Sequence, residues 1–338
     1  MATDWGARER LWNQNRNPIP AEKHQRSQAP LSCGLSDFQN YVIDVLEKLL
    51  LQDVDPTHQA KAIATQFCRQ QEPEDAWNDF LNSFVSAAME PSGEEPLRRL
   101  ALLLVALAKR PDARNLSGGV VTVDGILGRP RKIPSGEIID FGGVRLFSGL
   151  PNFALQMREV WNGKWSDPGF FSAVFADFSS GPRAMAHSRW DSPQAARLAW
   201  TNINAFLAQL SRVQRDSPGE LSARWIEDLG LWTITNGLED ANGIEDHARA
   251  GGRWLLILGD IIYSEATWGG RERRTKGPGP GPLREGPLWH AEVSRGASQS
   301  ERWNFWKQRL GEIAQADIVD RGTWDMAVEA ARHMARFG

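Results

Sequence analysis

Cysteine is almost missing from this sequence: Cys33 and Cys68 are the only two in 338 residues. At most one disulfide can form, and a chain this long needs none to hold a core, so a reduced intracellular setting is the simpler reading. Charge of one sign is also missing. The 39 basic and 42 acidic residues leave a net charge of −3. That excludes a global field able to hold nucleic acid or an anionic membrane, so either contact would need a local patch. Long apolar runs are missing as well. "LALLLVALA" (Leu100–Ala108) and "WLLILGDII" (Trp254–Ile262) stop well short of the roughly 20 apolar residues a membrane-spanning helix takes. The opening "MATDWGARER" carries charges and a glycine where a signal peptide needs an apolar stretch. The expectation is a soluble protein of the cytoplasm, with the nucleus left open, and with no membrane partner.

The motifs of common chemistries do not occur either. The six histidines are scattered, with no HExxH and no Cys/His cluster at metal-ligand spacing. Glu245, Asp246 and His247 are consecutive. On a helix their side chains would point about 100° apart, so at most two could converge on one ion, and the stretch reads as a solvated helix start. There is no GxSxG for a nucleophile, and no GxGxxG or GxxxxGK[ST] for a nucleotide. Asp140-Phe141-Gly142 matches the kinase metal triplet, but none of the other kinase segments accompanies it. No cofactor, metal or catalytic residue is assigned.

What the sequence does have is tryptophan, 15 residues against two tyrosines. Most sit in apolar company at helical spacing, which marks them as core anchors burying ~150–250 Å² each. The sharper reading, a surface on which sugars or bases stack, would need exposed aromatics.

Residues 1–34 are polar and proline-bearing and read as a mobile arm. Helical periodicity then begins. In "SDFQNYVIDVLEKLL", Phe38, Tyr41, Val42, Val45, Leu46, Leu49 and Leu50 recur on one face behind Ser36 as N-cap. Asp55-Pro56 announces a second helix, Pro73 a third and Glu94 a fourth. From Pro111 the pattern breaks into β-branched pairs between glycines and prolines, giving a candidate short β-hairpin around 118–145 or an ordered loop. Further helices are expected near 150–162, 193–213, 217–238, 244–263, 300–314 and 323–337. "RERRTKGPGPGPLREGP" (Arg271–Pro287) cannot propagate a helix or a sheet and reads as a flexible loop. The predicted fold class is all-α, an irregular multi-helix bundle, with residues 35–338 as a single helical domain.

One helix poses a question. "LAWTNINAFLAQL" (Leu198–Leu210) has the period of a core helix but carries two asparagines, poor helix-interior residues. At 100° per residue, Trp200, Ile203, Phe206, Leu207 and Leu210 share one face. Asn204 lies at its edge, and Asn202 points toward the opposite side, to solvent or a second helix layer. A buried Asn204 amide would need partners. Candidates on the following helices are Asp228, Asn236 and Glu239, then Arg253 and Asp260. Two readings follow: a polar tie that sets helix register, or a ligand pocket with Trp200 as its wall. Trp200, Asn204, Asp228, Glu239 and Arg253 are the candidate site under either. A second candidate is the basic loop, where Arg271, Arg273, Arg274 and Lys276 could wrap an anion; a solvated loop is the plainer reading.

"LPNFALQMREVWN" (Leu150–Asn162), then "WTNINAFLAQL" (Trp200–Leu210) and "GLWTITNGLED" (Gly230–Asp240), together resemble the signature of a fungal family of helical proteins, domain-of-unknown-function family 3632. The resemblance spans roughly residues 35–268. The family's arginine-rich segment before Leu-Glu is replaced here by "ARWIEDLGLWTITN", and the 271–287 insert is peculiar to this chain. The resemblance implies an intracellular, largely helical protein and brings no reaction, cofactor or catalytic residue. The functional expectation is a non-catalytic interaction or scaffold protein. The alternative is an accessory enzyme or small-molecule binder of fungal secondary metabolism. Nucleic acid ranks last among partners.

Overall fold

A computed structural model describes residues 5–16, 35–90, 93–124, 129–161, 192–217, 224–268, 285–295, 301–317 and 319–337. Its contacts divide the chain into two compact units, Met1–Met157 with Gly219–Leu221, and Arg158–Pro218 with Ser222–Gly338. The reading of 35–338 as one helical domain differs from this division. Periodicity reports which face of a helix is buried, not which other helix buries it.

The first unit is built on α2 (Asp37–Leu51), α3 (Pro56–Phe67), α4 (Pro73–Met89) and α5 (Glu94–Ala108). Ser36 caps α2 by accepting from the Gln39 N–H at 3.0 Å. Asp55 caps α3 through the N–H groups of Thr57 and His58. Each side chain satisfies backbone donors that the first helical turn leaves open. The core is aromatic: Phe67 meets Phe38, Trp77 and Phe147 edge-on, and Trp77 stacks on Phe80 with ring centroids 5.1 Å apart.

Part of the expected mobile arm is instead ordered. Trp5–Arg16 forms helix α1, with Trp5 buried and its indole N–H donating to Ser86 Oγ at 3.2 Å. Arg8 pairs with Glu90 and Arg10 with Asp44. A single tryptophan and a set of ion pairs dock a helix whose own apolar pattern is too weak to announce it. The remainder of the arm lies outside the described residues.

The β-hairpin expected around 118–145 is present as two antiparallel pairs. Val121–Asp124 (β1) pairs with Pro130–Ile133 (β2), and Asp140–Phe141 (β3) with Val144–Arg145 (β4). Gly142 and Gly143 both have positive φ, 61° and 86°, as a two-residue hairpin turn of this type requires. Asp140-Phe141-Gly142 is therefore a strand and its turn. Asn115, the acceptor position of an Asn-Leu-Ser sequon, is fully buried, and its amide donates to the carbonyls of Gly119 and Ile133. Two short helices follow, α6 (Leu146–Gly149) and α7 (Phe153–Trp161).

The second unit contains α8 (Pro193–Asp216), α9 (Arg224–Leu238), α10 (Ile244–Trp268), α11 (Pro287–Ser294), α12 (Arg302–Ile313) and α13 (Arg321–Met334). From Ala199 to Ser211 every residue of α8 is buried, Asn202 and Gln209 included. A helix buried on all sides is central to its unit, so Asn202 faces protein and not solvent. α10 breaks its helical geometry at Leu258. There Arg212 of α8 donates to the Ile257 carbonyl at 2.9 Å and grips Asp260. A side chain that takes a carbonyl out of the helical ladder is a known cause of such a kink. Among the described residues, no helix is long and apolar enough to cross a membrane.

Candidate functional site

Among the described residues seven tryptophans are buried, Trp5, Trp77, Trp200, Trp254, Trp289, Trp303 and Trp306. Each brings an indole N–H that can only donate, so a tryptophan-rich core needs acceptors inside it. In the second unit Trp254 and Trp306 meet that demand at Asn204 and Glu239, whereas the buried N–H groups of Trp289 and Trp303 have no hydrogen-bond partner among the described residues.

Asn204 is fully buried. Its Oδ1 accepts from Trp254 Nε1 of α10 at 2.8 Å and from Thr233 Oγ1 of α9 at 3.0 Å. Its Nδ2 donates back to the Trp200 carbonyl at 2.9 Å. One amide thus joins three helices. The Thr233 hydroxyl is also 3.0 Å from the Leu229 carbonyl, so its single proton serves one acceptor at a time. Trp254 reaches Asn204 because Gly230 lets its ring through: a Cβ at Gly230 would lie 2.5 Å from Trp254 Cε3.

Glu239 is the second polar node, also fully buried, just past the end of α9. Its Oε1 accepts from Arg302 Nε at 2.6 Å and Trp306 Nε1 at 2.7 Å. Its Oε2 accepts from the Gly286 N–H at 2.7 Å and Arg302 Nη2 at 2.9 Å. The Glu239 carbonyl accepts from Leu288 N, and Arg309 Nε donates to the Leu238 carbonyl. Two arginines at a helix C-terminus also complement its dipole. Gly286 has no room for a side chain, since a Cβ would meet Glu239 Cβ at 2.4 Å.

A third cluster holds the start of α10. Arg197 of α8 pairs with Glu245 at 2.6 Å and Asp246 at 3.0 Å. The His247 ring meets Trp200 and Trp232 edge-on, with centroids 5.8 and 5.5 Å away. The expected solvated helix start is thus half right: Glu245 is exposed, whereas Asp246 and His247 are buried. Among the described residues, no group of three or more His, Cys, Asp or Glu side chains is placed to hold a metal ion.

The candidate residues are therefore split between nodes. Trp200 is buried beside Asn204, while Glu239 serves its own node and Asp228 and Arg253 are partly exposed. Arg253 could only donate, and both acceptor positions of Asn204 Oδ1 are taken. Of the expected partners Asp228, Asn236, Glu239, Arg253 and Asp260, none is hydrogen-bonded to Asn204, whose side-chain partners are Thr233 and Trp254. Their signal was readable in principle, because an indole N–H among apolar residues announces a need for an acceptor. The helix Pro287–Ser294 begins at the last residue of the expected flexible loop and was not among the expected helices. Arg271, Arg273, Arg274 and Lys276 lie outside the described residues.

In the comparison with family models, one described as "Protein of unknown function (DUF3632)" matches residues 81–310. No curated protein and no solved structure matches the chain.

Proposed function

Because this chain belongs to the DUF3632 family, whose function is itself unknown, we propose its role from its own residues: a non-catalytic interaction or scaffold protein. One observation carries this reading. Asn204 and Glu239, the polar residues best placed for site chemistry, are fully buried and direct their acceptor oxygens to donors on neighbouring segments. Polar groups engaged in this way set helix register and leave little for a substrate to bind. The working location is the cytoplasm.

Native mass spectrometry of the protein, purified gently from its own host, tests the proposal. A stoichiometric protein companion is the expected result. A small mass lost on denaturation, with no protein companion, would overturn it in favour of an accessory enzyme or ligand-binding protein of fungal secondary metabolism.

A further inference from the structure

Between Lys109 and Arg145, basic residues outnumber acidic ones seven to four, although the whole chain is net −3. In the first unit, three of these arginines converge. Arg114, Arg131 and Arg145 line an open cavity of about 470 Å³ together with Glu137, Ile138 and Asp140. All three are exposed, and the backbone holds each in place. Arg131 lies on β2 and Arg145 on β4, while Arg114 bridges to Ile138 and donates from Nη1 to the Gly136 carbonyl at 2.9 Å. Arg131 pairs with Asp140 and Arg145 with Asp112, each at 2.7 Å. A guanidinium carries more donors than one such contact uses, and these side chains keep 47% and 63% of their surface in water.

We propose that this groove binds a carboxylate-rich peptide segment of a partner protein. The inference rests on the interaction role proposed above and gives it a surface and a partner chemistry. Planar guanidinium forks held by paired strands suit carboxylates, which they can grip in bidentate fashion. Asp112 and Asp140 already use that chemistry from within the chain. Phosphate fits less well. A phosphate cradle offers free backbone N–H groups, but here those of Gly136, Gly142 and Gly143 are spent on Asn115 O, Asp124 O and Asp140 Oδ1. Half-buried Ile138 adds an apolar floor for a peptide's neighbouring side chains.

The test is fluorescence anisotropy of a labelled hexaglutamate peptide against the full chain. Expected is salt-sensitive binding that falls about tenfold in Arg114→Gln/Arg131→Gln/Arg145→Gln, three exposed ion pairs being individually modest and jointly of that size. Arg98→Gln/Arg295→Gln/Arg321→Gln, which removes the same three charges, is the matched control. All three residues are exposed and paired with an acid, Glu95, Glu292 and Asp325, and the control should bind as the parent does. Equal loss in control and triple variant, or no loss in the triple variant, overturns the proposal. So does displacement of the peptide by inorganic phosphate at concentrations where free glutamate has no effect. If the triple variant does not fold, Arg145→Glu alone repeats the test at the most exposed of the pairs, and unchanged binding again overturns it. The companion found by native mass spectrometry separates the two proposals. Its retention by the triple variant sinks the groove and leaves the interaction role standing. Its absence from the parent sinks the role, and the peptide titration alone then decides the groove.

Discussion

Glu239 in the second unit is a fully buried carboxylate and Asp79 in the first a half-buried one, and their surroundings are opposite. Glu239 has a donor on every side: an arginine, an indole and a backbone N–H. Asp79 is reached by the Ser36 hydroxyl at 3.3 Å. Burial pushes its carboxyl up to about 6, with the Ser36 hydrogen bond pulling it down and the nearby Asp75 charge pushing it further up. The contrast teaches that burial alone does not decide what an acid does for a fold. With matched donors it becomes a node that other segments depend on; without them it is a standing cost. Asn204 lies between the two, hydrogen-bonded at both Oδ1 and Nδ2 but neutral.

The largest effect should come from breaking the charged node. Glu239→Ala takes from the largely buried Arg302 the carboxylate that it grips through two nitrogens, and takes from Trp306 and Gly286 the acceptor of their N–H groups. Loss of one partner from such a pair costs about 3–5 kcal/mol, readable as a shift in the urea midpoint. A loss no larger than that of Asn204→Ala would erase the distinction between charged and neutral nodes.

Asn204→Ala should cost about 1–3 kcal/mol, because it strands the Trp254 N–H in the core, while the Thr233 hydroxyl keeps the Leu229 carbonyl as an acceptor. A double-mutant cycle with Thr233→Val should show coupling of about 0.5–1 kcal/mol, since the two residues share one hydrogen bond. Additive effects would mean that the amide does not tie α8 to α9.

Asp79→Asn should have the opposite sign. The folded value of Asp79 lies above its ordinary 3.8, so protonation favours the folded state. Its contribution is complete below about pH 4 and is lost as pH rises through about 6. At neutral pH the variant should therefore be more stable than the parent, by about 1–2 kcal/mol after discounting for the partial exposure of the group. Melting curves at several pH values check this. The gain should vanish near pH 4, and a gain that persists there would point to a cause other than charge burial.

Much of the helical framework was legible in the sequence because its signals are local. Ser36 and Asp55-Pro56 cap helices where expected, and a helix does run through the expected 300–314 stretch, with Trp303, Trp306, Leu310 and Ile313 buried. Helix α1 was not legible, since Trp5 and a few ion pairs dock it and an apolar face does not. The candidate site was half legible. The helical wheel placed Asn204 at a core edge, and Glu239 was among the polar residues singled out. Their partners were misassigned because the wheel says which way a side chain points, not which helix stands opposite.

By itself, the sequence determined where most of the helices start, which of their faces are apolar, and that most of its tryptophans sit in apolar company at helical spacing. Those properties depend on neighbours within a few residues or on composition. Only the tertiary structure decided that Trp254 donates to Asn204 and Trp306 to Glu239, that Gly286 closes onto a carboxylate 47 residues away, and that Arg114, Arg131 and Arg145 line one cavity. Each of those contacts depends on the packing of segments distant in sequence, and a hydrogen bond is decided by tenths of an ångström that no local pattern specifies.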